Sequence, residues 1–159
     1  MADQTKHPEP GRSNPNRFDP SRAAPMLLSH GHAGWLGLEY CGHGADWVEL
    51  KLPWREDLLG EDDHEVLASG PIISLMDMAS GLCIWTKMGG FNAIATLDLR
   101  VDYQRPARER AAVFGHAECY RLTRSAAFVR GFAHDGDPDD PVAHIAGVFM
   151  SIGGDPRNV

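Results

Sequence analysis

The chain of 159 residues lacks several features that mark large classes of protein. It has only three cysteines, Cys41, Cys83 and Cys119, an odd and scattered set that predicts reduced thiols rather than disulfides or a metal site. No apolar run approaches the roughly 18 residues that a membrane-spanning helix needs, and the N-terminus has no signal-peptide core. These absences predict a cytoplasmic protein without a membrane partner.

The sequence motifs of several enzyme classes are absent as well. There is no G-x-S-x-G nucleophile elbow, so a Ser-His-Asp triad of that type is not expected. There is no phosphate-binding loop or dinucleotide fingerprint. His30 and His32 lie close together, but no further ligands stand near them, so we interpret them as loop histidines. The sequence therefore predicts no metal site.

The charge is unevenly distributed. A net charge of −7 argues against a nucleic-acid partner. Residues 100–130, in contrast, contain seven arginines against only Asp102, Glu109 and Glu118. Such a basic patch on an acidic protein can hold a phosphorylated small molecule, but it can equally consist of solvated strand ends.

The most distinctive segment is residues 67–85, an apolar run whose only charge is Asp77. Pro71, preceded by small residues, predicts a helix start. The apolar residues surround this helix on nearly every side, which predicts burial. A buried carboxylate is costly, so Asp77 is a functional candidate; alternatively, hydroxyl donors such as Thr96 or Ser80 satisfy it structurally.

The remaining segments predict one α+β domain over residues 25–152, between a flexible N-terminal tail (1–24) and a C-terminal tail (153–159). A short helix is predicted from Pro25 to His32, and an acidic loop at 53–66 leads to the long helix. The predicted strands form a hairpin before the helix and a four-strand meander after it, at 35–40, 47–52, 96–103, 112–122, 126–134 and 142–152. In the first meander strand, alternation places Thr96 on the face opposite Leu97 and Leu99.

Four segments in this order resemble the hotdog fold, and most closely the PaaI-type acyl-CoA thioesterase family. The resemblance covers about residues 34–150. It is carried by ASGPIISLMDMASG (68–81), ATLDLRVDYQRPA (95–107), RLTRS (121–125) and VAHIAGVFM (142–150). It implies an antiparallel sheet wrapped around one central helix, in a homodimer or a dimer of dimers.

The resemblance also implies a reaction, the hydrolysis of acyl-CoA thioesters to free acid and CoA. Asp77 would activate or perform the attack, and the backbone amides of Ser69 and Gly70 would polarise the thioester carbonyl. Thr96 would line the site. No cofactor is expected beyond the CoA of the substrate, whose phosphates would meet Arg105, Arg124 with Ser125, and as a further candidate Arg121.

Two features qualify this expectation. Asp77 and the Ser69–Gly70 turn are separated by roughly 11–12 Å along a helix, so we hypothesise that the turn of one subunit meets Asp77 of the other. Family members commonly carry His-Gly-Gly at this turn, whereas this chain has Ala68 in place of the histidine. The alternatives are therefore a non-catalytic acyl-CoA-binding hotdog protein and, less favoured, an acyl-CoA hydratase or dehydratase.

Overall fold

A computed structural model describes residues 17–60 and 64–152. The predicted C-terminal tail and most of the predicted N-terminal tail lie outside these residues. The described elements are α1 Pro20–Leu27, α2 Gly31–Leu36, β1 Glu39–His43, β2 Trp47–Leu52, a 3₁₀ turn at Glu56–Leu58, α3 Ser69–Met88, β3 Ile94–Tyr103, β4 Val113–Leu122, β5 Ala126–His134 and β6 Ala143–Ser151. None of these helices is long and apolar enough to cross a bilayer.

One antiparallel sheet of six strands packs one face against α3, which confirms the predicted α+β hotdog fold. Alternation along β2 explains the packing, because every second residue, Val48, Leu50 and Leu52, is fully buried under the helix. Leu75 and Leu82 of α3 are also fully buried in this core. Burial of side chains of this size stabilises the fold by about 1.5–3 kcal/mol each.

The strand order is β1-β2-β4-β5-β6-β3, so the prediction of a four-strand meander after α3 is wrong. Only β4, β5 and β6 form a meander. β3 pairs with β6 at the far edge of the sheet, and β4 pairs with β2. The sequence pattern showed where the strands lie but not which strands are neighbours, because alternation carries no information about pairing. As a result β3 is an edge strand of ten residues.

The region before α3 differs from its prediction in two places. Residues 35 and 36 belong to α2, and β1 begins only at Glu39, because Gly37 adopts a left-handed conformation (φ 70°) that ends the helix. α1 begins at Pro20, within the stretch predicted as a tail, where the Asp19 side chain accepts a hydrogen bond from the Ser21 amide. Two helices, α1 and α2, therefore stand where one from Pro25 to His32 was predicted, and both contact α3.

The predicted assignment of residues to the two faces of β3 is wrong at Thr96, because the strand contains a β-bulge. Thr96 pairs with Phe149 and Asp98 with Val148, so Leu97 is an extra residue without a counterpart in β6. The extra residue shifts the alternation by one position. Thr96 therefore lies on the same face as Leu99, toward the helix, and not opposite to it.

Candidate active site

One side of α3 is open, so the prediction of a helix buried on every side is wrong. Ile73 is 40% exposed, and Ser74 and Asp77, which follow it on the same face, are half-buried. A groove of about 470 Å³ runs along this face between α2, α3 and β3. The apolar composition of the helix did not reveal the groove, because its open face is itself partly apolar.

Asp77 lies in this groove and is held by one hydroxyl. The Thr96 hydroxyl donates a hydrogen bond of 2.8 Å to Oδ1 of Asp77. Ser80, the other donor considered from the sequence, is fully buried and donates instead to the Met76 carbonyl. The bulge at Leu97 makes the contact possible, since without it Thr96 would face away. The structure therefore brings Asp77 and Thr96 together.

A second polar pair in the groove was missed by the sequence analysis. Nε2 of His32 lies 2.9 Å from the Ser74 hydroxyl, one helical turn from Asp77. Beyond this pair the groove continues into a space of about 380 Å³ that reaches Gly70 and Pro71. His32 was interpreted as a loop residue; it lies on α2, and only the packing of α2 across α3 reveals its position.

The N-terminus of α3 has two free amide donors. The N-cap is Ala68, which has no side-chain acceptor, and Pro71 stands third in the helix rather than first and has no N–H. Ser69 and Gly70 are exposed, and among the described residues their amides donate to no protein acceptor. An unsatisfied N–H pair at a positive helix end suits a developing negative charge.

Tyr103 joins the edge strand to this helix start. Its hydroxyl donates a hydrogen bond of 3.0 Å to the carbonyl oxygen of Ser69. Burial raises the pKa of the Tyr103 hydroxyl above its ordinary value of 10, so it remains protonated at neutral pH. Tyr103 also lines a cavity of about 1000 Å³ on the other side of the helix start, together with His64 and Arg108.

Arg105 lies beside the same cavity but is engaged in an ion-pair network. Its two terminal nitrogens each donate a 2.8 Å hydrogen bond to the buried carboxylate of Asp135. Its Nε lies 3.0 Å from Asp140 in an ion pair without hydrogen-bond geometry. Hydrogen bonds from Arg105 and from the Arg108 amide lower the pKa of Asp135 to about 2, and Asp135 in turn raises the pKa of Arg105.

Arg124 and Ser125 lie at the opposite end of α3. Both are exposed in the turn between β4 and β5, beside the start of β3 and the last turn of the helix. Arg124 takes part in none of the ion pairs formed by arginines among the described residues. Within one chain, the predicted CoA-contacting residues therefore lie at two separate ends of the molecule.

Comparison with known proteins assigns this chain to a family. The model of the thioesterase superfamily matches residues 64–142, which contain α3, β3, β4 and β5. A crystal structure of a Pseudomonas aeruginosa protein is 37% identical, with a TM-score of 0.74 over 83% of this chain and 98% of that chain. The chain belongs to the thioesterase superfamily.

Two further proteins resemble this member of the thioesterase superfamily. A Halobacterium salinarum protein named as a candidate esterase is 33% identical over 57% of this chain and 65% of its own length. The PaaI protein from the phenylacetic acid degradation operon of Escherichia coli shares the fold, with 17% identity and a TM-score of 0.72 over 84% of this chain and 93% of that chain. The predicted hotdog fold and thioesterase family are confirmed, and the PaaI protein shares this fold.

Proposed function

We propose that the protein hydrolyses acyl-CoA thioesters to a free acid and CoA, with Asp77 as general base or nucleophile. The superfamily supports thioester hydrolysis in general. The observation that carries the proposal is the Asp77 carboxylate, held by Thr96 at 2.8 Å in an open groove. A carboxylate placed in this way has one oxygen engaged and the other available to a reactant.

The chemistry at Asp77 follows from its one free oxygen. As a base, the carboxylate accepts a proton from water while the water oxygen attacks the thioester carbonyl carbon. The carbon–sulfur bond then breaks, and the proton passes from Asp77 to the leaving thiolate. As a nucleophile, Asp77 would instead attack the carbonyl carbon itself, and the carbon–sulfur bond would break to release the CoA thiolate and leave an anhydride. Water would then open the anhydride, which regenerates the Asp77 carboxylate, releases the free acid and supplies the proton taken up by the thiolate. Both routes develop a negative charge on the carbonyl oxygen, which needs hydrogen-bond donors.

The free amides of Ser69 and Gly70 are the proposed donors to the carbonyl oxygen. They do not act on the same carbonyl group as Asp77 of their own chain. Eight residues separate Ser69 from Asp77, roughly 12 Å along the helix axis. A single carbonyl group cannot reach both. The donors must therefore come from a second chain, and the site is completed by dimerisation.

The exposed edge of β3 supports a dimer of this kind. Long unpaired edges invite pairing with another chain, and Leu97 on this edge is 60% exposed. Antiparallel pairing of β3 with its copy places the Thr96 end of one strand beside the Tyr103 end of the other. Since Thr96 holds Asp77 and Tyr103 holds Ser69, this pairing joins the carboxylate of one subunit to the amides of its partner.

The same pairing of β3 with its copy supports a binding position for the CoA phosphates near the turn between β4 and β5. The start of β3 lies beside the turn that carries Arg124 and Ser125, so this turn approaches the helix start of the partner subunit. The Arg124 guanidinium is exposed and suited to phosphate. Arg105 is also proposed from the resemblance, but its donors are occupied by Asp135 and Asp140. We therefore favour Arg124 over Arg105 as the phosphate contact.

The decisive experiment measures thiol release from short, medium, long and aryl acyl-CoAs by the wild type and by Asp77→Asn. The variant should lose about 10²–10⁴-fold in kcat, the usual contribution of a general base, without a change in melting temperature. Asp139→Asn, which changes an exposed turn carboxylate, is the matched control and should behave as the wild type. Full activity in Asp77→Asn would falsify the assignment.

A mixing experiment tests whether the site is shared between subunits. Asp77→Asn removes the carboxylate, and Ala68→Asp occupies the Gly70 amide by capping the helix. In a mixed dimer, one of the two sites combines an intact Asp77 with an intact turn. Mixing the two inactive proteins should therefore restore activity if the groups come from different chains, and should restore none if they act within one chain.

One observation favours a second candidate, an acyl-CoA-binding protein without catalysis. Position 68, where the resembling family commonly has histidine, is Ala68, so the N-cap residue of α3 supplies no side-chain acid or base. On this alternative, acyl-CoAs raise the melting temperature but remain intact, and Asp77→Asn binds them as well as the wild type.

A further inference from the structure

We propose that Tyr103 is a positioning residue for the oxyanion donor, acting on the Gly70 amide through the carbonyl of Ser69. The inference rests on the proposed function and adds a residue to it. The sequence analysis assigned no role to Tyr103, and the role inferred here rests on one contact between the end of β3 and the start of α3.

The contact acts on the same peptide group that carries the donor. The Ser69 carbonyl and the Gly70 N–H belong to one conjugated, planar unit. A hydrogen bond from Tyr103 to the carbonyl oxygen draws electron density toward that oxygen and leaves the Gly70 hydrogen more positive. Cooperative strengthening of this kind amounts to about 10–30% per bond. The Gly70 amide is thereby a stronger donor than an ordinary helix-terminal amide.

The contact also fixes the direction in which the amide points. No side chain caps α3, because its N-cap is Ala68. The preceding residues are held by a hydrogen bond from the Ala68 amide to the Leu58 carbonyl. Among the described residues, Tyr103 provides the side-chain hydrogen bond to the first residue of the helix. It therefore supplies orientation at a helix end that lacks the usual capping side chain.

Tyr103 in addition links this donor to the edge of the sheet. It is the last residue of β3, the strand proposed to pair with its copy. A shift of the edge strand therefore moves the hydroxyl relative to Ser69, and the donor is held in place only when the edge is held in place. Assembly and oxyanion stabilisation are coupled through one hydroxyl group.

The first test compares Tyr103→Phe with Tyr120→Phe on the best acyl-CoA substrate. Phenylalanine keeps the ring and removes only the hydroxyl. We expect kcat to fall about 3–10-fold, because the amide remains but is weaker and less well oriented, while KM, the dimer mass and the melting temperature stay unchanged. Tyr120 is the matched control, since it is 47% exposed on β4 and packs against Phe128 and Arg130, away from α3.

A series of tyrosine analogues at position 103 distinguishes polarisation of the Gly70 amide from a purely structural contact with the helix start. Ring-fluorinated tyrosines at position 103 have a more acidic hydroxyl and donate more strongly, provided that the assay pH keeps them protonated. If Tyr103 acts on the Gly70 amide, kcat should rise from phenylalanine to tyrosine to the fluorinated residue. A structural tether would instead give equal kcat for the tyrosine and its fluorinated forms.

The outcomes distinguish this inference from the proposed function. If the wild type hydrolyses no acyl-CoA, the proposed function fails. If the wild type is active and Tyr103→Phe has the same kcat, the role of Tyr103 is refuted while the function stands. A loss of dimer mass or of melting temperature that accounts for the fall in kcat would likewise overturn the positioning role.

Discussion

The two ends of α3 are built in contrasting ways. The C-terminal end is closed: Gly89 adopts φ 68° and its amide donates to the carbonyls of Trp85 and Thr86. The Trp85 indole donates to the Asn92 carbonyl, and its ring packs against Phe91 with centroids 4.4 Å apart. The N-terminal end begins at Ala68 without a capping side chain, and no acceptor among residues 17–60 and 64–152 bonds the amides of Ser69 and Gly70.

The open end is held in place by neighbouring segments of the chain and not by a cap of its own. The Arg105–Asp135 pair fixes the loop beside it, and Tyr103 contacts the first helical residue. A cap at the N-terminus would stabilise the helix by about 0.5–2 kcal/mol, but it would occupy the donors. The closed end contributes stability, and on the proposed function the open end stays available to the thioester carbonyl.

Loss of the ion pair that supports the open end should cost the most stability. Asp135→Asn leaves Arg105 without its buried partner, so we expect a loss of about 3 kcal/mol in the free energy of unfolding. Asp140→Asn is the matched control, because it removes an exposed partner of the same arginine and should cost less than about 1 kcal/mol. Denaturant unfolding of both variants checks this; equal losses would contradict it.

The pH dependence of the same pair has a defined sign. The pKa of Asp135 is lowered to about 2 in the folded protein from an ordinary 3.8, so the unfolded chain binds the proton more tightly. The resulting stabilisation, about 2 kcal/mol, is complete above about pH 5 and is lost as the pH falls through 4 toward 2. The difference in stability between wild type and Asp135→Asn should therefore narrow between pH 5 and pH 2.

A second substitution adds a capping side chain to the open end. Ala68 has the extended backbone of an N-cap (ψ 156°), so Ala68→Asp should accept a hydrogen bond from the Gly70 amide, since Pro71 has none to give. We expect the melting temperature to rise and kcat to fall about 10²-fold, the typical cost of losing one oxyanion donor. Ala68→Val, which cannot accept a hydrogen bond, should show neither change through this route. A stabilised variant with full activity would show that these amides are not the donors.

The smallest effect concerns the closed end. Gly89→Ala forces a side chain into the left-handed region and should lower stability by about 1 kcal/mol, or a few degrees in melting temperature, with activity unchanged. Gly90→Ala is the matched control, because its φ is not positive and a Cβ there has open space. Calorimetry of the two variants decides whether the left-handed cap carries the stability of this end.

Much of the fold could be predicted because it depends on local patterns. The alternation of β2, the stop at Gly89 and the limits of β5 follow from period-two burial and turn residues. The position of β3 at the sheet edge could not be predicted, because strand pairing depends on contacts between residues distant in the chain. The boundary between α2 and β1 depended on the φ of Gly37, which composition does not determine.

Less of the candidate site could be predicted from residues alone. The charge of Asp77 in an apolar run singled it out, and the family resemblance supplied Ser69, Gly70 and Thr96. The structure adds what no pattern contains: Thr96 reaches Asp77 only because of a bulge, and Arg105 is bound to Asp135. The pair of His32 and Ser74 spans 42 positions in the chain, a separation over which periodicity carries no information. The roles of these residues stay predictions.

The bulge at Leu97 also provides a way to follow the site without substrate. A bulged residue has no paired counterpart in the neighbouring strand, so we expect the Leu97 amide hydrogen to exchange with deuterated solvent without an opening of the sheet. Leu97 adjoins Thr96, which holds the carboxylate. Slower isotope uptake at this single position would therefore record the arrival of a second chain at the edge or of a ligand in the groove.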